Sequence, residues 1–72
     1  MGMTKATWHV IIKRLDKSTH RYSEVRAHAP RRGDVLETVV AGMFVKAEVE
    51  VVYPKKISVG PERAWVVHAE EI

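Results

Sequence analysis

The stretch Pro30-Arg31-Arg32-Gly33-Asp34 carries a strong turn signal, and it separates two segments that each alternate apolar and polar residues. Each of these segments contains a shorter turn of its own, which is the pattern of two β-hairpins. A third alternating run lies near the C terminus. The sequence therefore predicts an all-β fold, a small five-stranded SH3-like barrel or rolled meander built from two hairpins plus a C-terminal strand.

Length and composition predict one small domain over residues 1–72. With 46% hydrophobic and 29% charged residues, the chain has a globular composition. Folding at this size hides only about 60% of the surface that the unfolded chain exposes, so the core is marginal. Because the sequence has no cysteine, disulfides and thiolate metal sites are excluded, and self-association becomes the expected source of extra stability. Residues 1–2 resemble a cloning remnant before a native start at Met3.

The first hairpin is predicted from two runs of β-branched and aromatic residues, 7–15 and 22–28, on either side of a polar segment. A four-residue loop over 17–20 sorts the apolar side chains onto one face. On that face the register pairs Ile12 with Val25, Val10 with Ala27 and Trp8 with Ala29. On the other face it pairs Lys13 with Glu24, Ile11 with Arg26 and His9 with His28.

The second hairpin competes with a helix over residues 34–47. Seven apolar residues recur there with helical spacing, and Asp34 would serve as an N-cap. Gly42 and five β-branched residues oppose a helix, and residues 45–51 alternate strictly. A two-residue turn at Ala41-Gly42 resolves the conflict because it places apolar and polar side chains on opposite faces. We prefer two strands, in which Val40 faces Met43, Thr38 faces Val45, Leu36 faces Ala47, Glu37 faces Lys46 and Val39 faces Phe44.

The C-terminal third is predicted as a loop followed by a last strand. Pro54 should end the fourth strand because it cannot donate to a ladder. Residues 54–63 then form a loop with a turn at Gly60-Pro61, and residues 64–70 form the fifth strand. The predicted core consists of Trp8, Val10, Ile12, Val25, Ala27, Leu36, Val40, Val45, Val49, Val51, Trp65 and Val67.

No stretch carries a catalytic, metal or cofactor signature. The three serines lie outside any nucleophile-elbow setting, and four glycines leave no room for a phosphate-binding loop. His9 and His28 would be neighbours in the predicted register, but a zinc site needs at least three fixed ligands. Glu48 and Glu50 alternate with valine, as on a solvated strand face. We therefore expect no enzyme, no cofactor and no bound metal.

A surplus of apolar side chains on the outward face of the second hairpin is the leading functional signal. Exposed aliphatic and aromatic pairs on small domains mark interfaces. The pattern predicts a small non-catalytic interaction module that forms a homodimer or binds a partner protein. The candidate interface residues are Val35, Val39, Phe44 and Val52.

Basic residues around the turns supply an alternative function. The formal net charge of +3 and the sequence pI of about 9.5 favour anionic partners. In this alternative, a small barrel would bind nucleic acid through its loops. The candidate contacts are Lys13, Arg14, Lys17, Arg21, Arg31, Arg32, Lys55 and Lys56. No apolar run is long enough to span a membrane and no signal peptide opens the chain, so we expect a cytoplasmic protein.

Overall fold

The computed structural model describes residues 5–55 and 63–72, and it folds them into five β-strands. They are β1 (Ala6–Lys13), β2 (Thr19–Arg26), β3 (Val35–Val40), β4 (Met43–Lys55) and β5 (Arg63–Glu71). The predicted all-β class is confirmed, and the helix alternative over residues 34–47 is wrong. None of the described residues belongs to a helix that could cross a membrane.

The strands form one rolled sheet in the order β2-β1-β5-β4-β3. The hairpin pairs β1–β2 and β3–β4 are antiparallel, and so is β4–β5. The parallel ladder between β5 and β1 brings the end of the chain back to its beginning. The sheet is thus a nearly closed, barrel-like meander whose one gap among the described strands lies between β2 and β3.

The second hairpin has the predicted register. Ala41 and Gly42 have φ values of 50° and 80°, the left-handed pair that a type I′ turn requires. Val39 lies opposite Phe44 and Glu37 lies opposite Lys46. Backbone hydrogen bonding continues beyond β3, because the Val49 N–H donates to the Asp34 carbonyl over 2.8 Å.

The first hairpin has a different register from the predicted one. The chain reverses over a five-residue loop, in which the Arg14 N–H donates to the Ser18 carbonyl over 2.8 Å and Lys17 adopts a φ of 70°. Ile12 therefore lies opposite His20 instead of Val25. This shift moves β2 by an odd number of residues, so its faces are exchanged and Val25 is exposed.

A β-bulge at Glu50 changes the second half of β4. Val49 lies opposite Ala69, but the next paired residue, Val51, lies opposite His68. The extra residue reverses the alternation beyond it, so that Val52 packs against the core and Val51 is exposed. The prediction that Val52 faces outward was wrong for this reason. β4 also continues through Pro54 to Lys55, past its predicted end, while Gly60-Pro61 lies outside the described residues.

Seven of the predicted core residues are buried: Trp8, Val10, Ile12, Leu36, Val45, Val49 and Val67. Val40 and Trp65 are half-buried, whereas Val25, Ala27 and Val51 are exposed and were placed in the core wrongly. Four alanines complete the interior, Ala6, Ala47, Ala64 and Ala69. Their small side chains fill the interior between the larger residues of the neighbouring strands.

Contacts with Trp8 explain why the charged residues Glu24 and Arg26 lie on the inner side of β2. Its ring is fully buried, and its Nε1–H donates to the His28 carbonyl over 3.0 Å. The Arg26 guanidinium lies 4.5 Å from the centre of the ring and pairs with Glu24 at 2.9 Å. The guanidinium thus lies over the indole while the Arg26 side chain keeps part of its surface in solvent, so β2 closes the core with polar side chains.

Candidate protein interface on the second hairpin

Three exposed apolar side chains lie on the outward surface of β3 and the start of β4. We call these residues, Val35, Val39 and Phe44, the hairpin face. Their exposed fractions are 54%, 53% and 87%. Val39 and Phe44 lie directly opposite each other on the two strands, so their side chains are cross-strand neighbours. All three side chains point outward, as the predicted register requires. The fourth predicted member, Val52, contributes to the core instead.

The hairpin face is supported from beneath by buried side chains, and its charged neighbours leave one negative charge uncompensated. Leu36, Val45 and Ala47 are buried directly beneath it, on the inner side of the same two strands. Glu37 and Lys46 share the outward surface and form an ion pair at 3.6 Å. Glu48 is exposed opposite Val35 and adds a negative charge at the edge of the face. A surface on a fixed backbone can bind a second apolar surface without reorganising.

The candidate basic residues do not form one patch. Arg14 is held by Glu71, with Nε and Oε1 3.2 Å apart. Lys17 lies in the first loop, and Arg31 and Arg32 lie in the turn before β3. The remaining described cations of the set point outward from strands or strand ends, Lys13, Arg21 and Lys55. Lys56 lies outside the described residues.

The turn that divides the chain has a local structural role. Gly33 adopts a φ of 93°, which an L side chain rarely tolerates, and its N–H donates to the Val49 carbonyl over 2.8 Å. The Asp34 carboxylate accepts from the Arg31 N–H over 2.9 Å. These contacts fix the point at which the chain enters β3 and so position the hairpin face.

The histidines are dispersed. His9 Nδ1 lies 3.0 Å from the Ser23 hydroxyl, and His28 packs edge-on against Trp8 with 5.7 Å between ring centres. The predicted pairing of His9 with His28 was therefore wrong. Among residues 5–55 and 63–72, no three His, Asp or Glu side chains are grouped in a way that could hold a metal ion.

Glu50, at the bulge of β4, lies close to a carboxylate of β5. The bulge brings it to Glu70 on β5, and the hydrogen bond between the two side chains raises the pKa of Glu50 above its ordinary value. Burial and the neighbouring negative charges raise that pKa further, while Arg32 lowers it. Glu71, the last residue of β5, behaves differently. Hydrogen bonds from the Leu15 N–H and the Arg14 side chain lower its pKa.

Sequence reasoning missed Tyr53, because unbroken alternation from Val45 onward would put it on the core side of β4. Beyond the bulge, Tyr53 points outward, is 45% exposed and stacks on His68 with ring centres 5.7 Å apart. The only trace of this change in the sequence is the doublet Val51-Val52, which interrupts the alternation of β4.

Comparison of the chain with protein-family models, curated proteins and solved structures finds no match.

Proposed function

We propose that this protein is a small non-catalytic interaction module that self-associates through the hairpin face. The observation that carries the proposal is the exposed pair Val39 and Phe44, with the aromatic ring 87% exposed on a regular strand. Large apolar side chains in this position on a small domain are typical of interfaces. Two copies of the face can pack as two aligned sheets do, about 10 Å apart.

The energetics support association with a second copy. Complete burial of a Val or Phe side chain contributes roughly 1.5–3 kcal/mol relative to exposure. Three such side chains from each copy can offset a substantial part of the entropic cost of association. A domain of 72 residues with a marginal core also gains stability from a partner that binds only the folded state.

Sedimentation equilibrium of the wild type, Phe44→Glu and Val25→Glu tests this proposal. Val25 is the matched control, since it is 59% exposed on the outward side of β2 and is not part of the hairpin face. We expect the wild type and Val25→Glu to reach twice the monomer mass of 8.2 kDa at high micromolar concentration. Phe44→Glu should raise the dissociation constant by more than about tenfold, since 1.4 kcal/mol suffices for that change.

Three results would reject the proposed interface. They are a wild-type monomer at high micromolar concentration, equal weakening by both substitutions, and a dimer that Phe44→Glu leaves intact. The thermal midpoint offers a second readout, because a variant that loses its partner should melt at a lower temperature than the control at equal concentration.

Nucleic-acid binding through the basic loops receives less support. Arg14 is engaged by Glu71, and the loop cations are divided between two turns, with Lys17 in one and Arg31 and Arg32 in the other. Ionic strength separates the two functions, because phosphate contacts weaken steeply with salt whereas an apolar interface changes little.

A further inference from the structure

An exposed aromatic pair lies on the outward surface formed by β2, β1, β5 and the second half of β4. Tyr53 on β4 stacks on His68 on β5 with an angle of 28° between the rings, and the Tyr53 hydroxyl lies 3.2 Å from His68 Nε2. His68 thereby fixes the orientation of the tyrosine ring. A phenol held in one orientation on a sheet surface offers a π-face at little entropic cost.

The strand register places this pair at one side of a continuous surface. Two rows of outward side chains cross the sheet from β2 to β4, Ser23-His9-Val66-Tyr53 and Arg21-Ile11-His68-Val51. Four neighbouring strands span about 14 Å. The surface therefore has polar side chains on β2, the apolar side chains of Ile11 and Val66 at its centre, and the aromatic ring of Tyr53 on β4.

A shallow depression of about 390 Å³ lies within this surface. Arg21 and Lys55 both line it, one from β2 and the other from the end of β4. Neither takes part in an ion pair within the described part of the chain. The rest of its lining comes from β1, β2 and β5, namely His9, Val10, Ile11, Tyr22, Ser23 and Val66.

The charges at the two ends of the surface differ. Beyond His68, a second depression is lined by Lys13 and Lys17 together with Glu50 and Glu70, so its net charge is small. The depression between Arg21 and Lys55 has no acidic side chain in its lining. An anion on this side of the sheet is therefore attracted to the end near Tyr53.

We propose that this surface binds single-stranded nucleic acid. In this arrangement a base stacks on the exposed face of Tyr53, and Arg21 and Lys55 contact the flanking phosphates. Aromatic side chains on a strand surface, combined with cations that follow the backbone, are the recurrent means of binding single strands without sequence preference. A duplex hides the faces of its bases, so it could use only the cations. The surface shares no residue with the hairpin face.

Fluorescence anisotropy tests this proposal, with labelled oligothymidine and oligouridine as probes and a duplex of the same length as comparison. We expect Tyr53→Ala to weaken single-strand binding roughly 5- to 150-fold, and Tyr53→Phe to retain most of the affinity because the ring remains. Lys55→Ala should weaken binding and reduce the slope of log affinity against log salt by about 0.7, whereas Arg31→Ala in the turn before β3 should change both far less.

Chemical-shift mapping of the wild type keeps the proposal testable even where a variant folds poorly. Addition of the oligonucleotide should shift the amide signals of His9, Val66 and His68, and leave those of Val39 and Phe44 in place. The proposal fails if neither probe binds at low salt and high micromolar protein. It also fails if the duplex binds as tightly as the single strand, or if Tyr53→Ala binds like the wild type. These results leave the hairpin interface untouched, since sedimentation of the protein alone decides it.

Discussion

Replacement of Ile12 by alanine tests the core and the placement of β1 together. Ile12 is fully buried between His20 on β2 and Ala69 on β5. Truncation of a buried isoleucine costs about 2–5 kcal/mol. Since its neighbour Ala69 is too small to fill the cavity, we expect a value in the upper half of this range. Stability of roughly 0.05–0.15 kcal/mol per residue gives about 4–11 kcal/mol for a chain of this length, so Ile12→Ala removes a large part of the total.

Ile11 provides the matched control because the same residue type occupies the next position on the opposite face. Ile11 is half-buried on the outer side of β1, and Ile11→Ala should cost about 1 kcal/mol. Urea unfolding followed by tryptophan fluorescence measures both variants against the wild type. The urea midpoint should be highest for the wild type, slightly lower for Ile11→Ala and much lower for Ile12→Ala. Equal losses for the two alanine variants, or a larger loss at Ile11, would refute the assignment of faces in β1.

Three further substitutions should change stability in known directions. Glu71→Gln should lower the thermal midpoint at pH 7 and have little effect in strong acid, because the Leu15 N–H lowers the pKa of Glu71 and its stabilisation is lost as the pH falls through that pKa. Glu50→Gln should act oppositely and raise the midpoint at pH 7. Glu70 raises the pKa of Glu50, so protonated Glu50 stabilises the fold at low pH and this stabilisation is lost as the pH rises. Thermal scans between pH 3 and 7 should therefore show the higher midpoint of Glu50→Gln only near neutrality. Ala41→Asn should stabilise the second hairpin by about 1 kcal/mol or less in urea unfolding, because asparagine tolerates the φ of 50° better than alanine does, and a loss of stability would contradict the type I′ turn.

The second hairpin was predictable because two independent sequence features agree there. Strict alternation in the first half of β4 fixes which side chains face inward, and Ala41-Gly42 fixes the point of reversal. Any shift by one residue would have buried Lys46 and exposed Ala47, so only one register satisfies both strands. The outward position of Val39 and Phe44 followed directly from that register.

The first hairpin was not predictable in the same way because its loop gives no glycine or asparagine signal. Lys17 adopts the left-handed conformation, which lysine seldom does, and Asp16 stabilises the loop by accepting from the Ser18 N–H over 2.9 Å. The inner side of β2 also carries Glu24 and Arg26, which a pattern of apolar residues assigns to solvent. Only the contact between Arg26 and Trp8 in three dimensions explains their position.

The two ladders of β5 depend on contacts that are distant in sequence. Nothing local in residues 64–70 indicates that the strand lies between β1 and β4, parallel to the first and antiparallel to the second. The bulge at Glu50 arises in that second ladder and moves Tyr53 from the inside to the outside. The candidate interface could thus be read largely from the sequence, whereas the surface around Tyr53 could not.

Intermolecular contacts at the hairpin face test the central claim most directly. An isotope-filtered nuclear Overhauser experiment on a mixture of labelled and unlabelled protein detects only contacts between copies. We predict signals between the Phe44 ring of one copy and the methyl groups of Val35 or Val39 of the other. Absence of such signals in a sample that sediments as a dimer, or signals that arise from another face, would contradict self-association through the hairpin face.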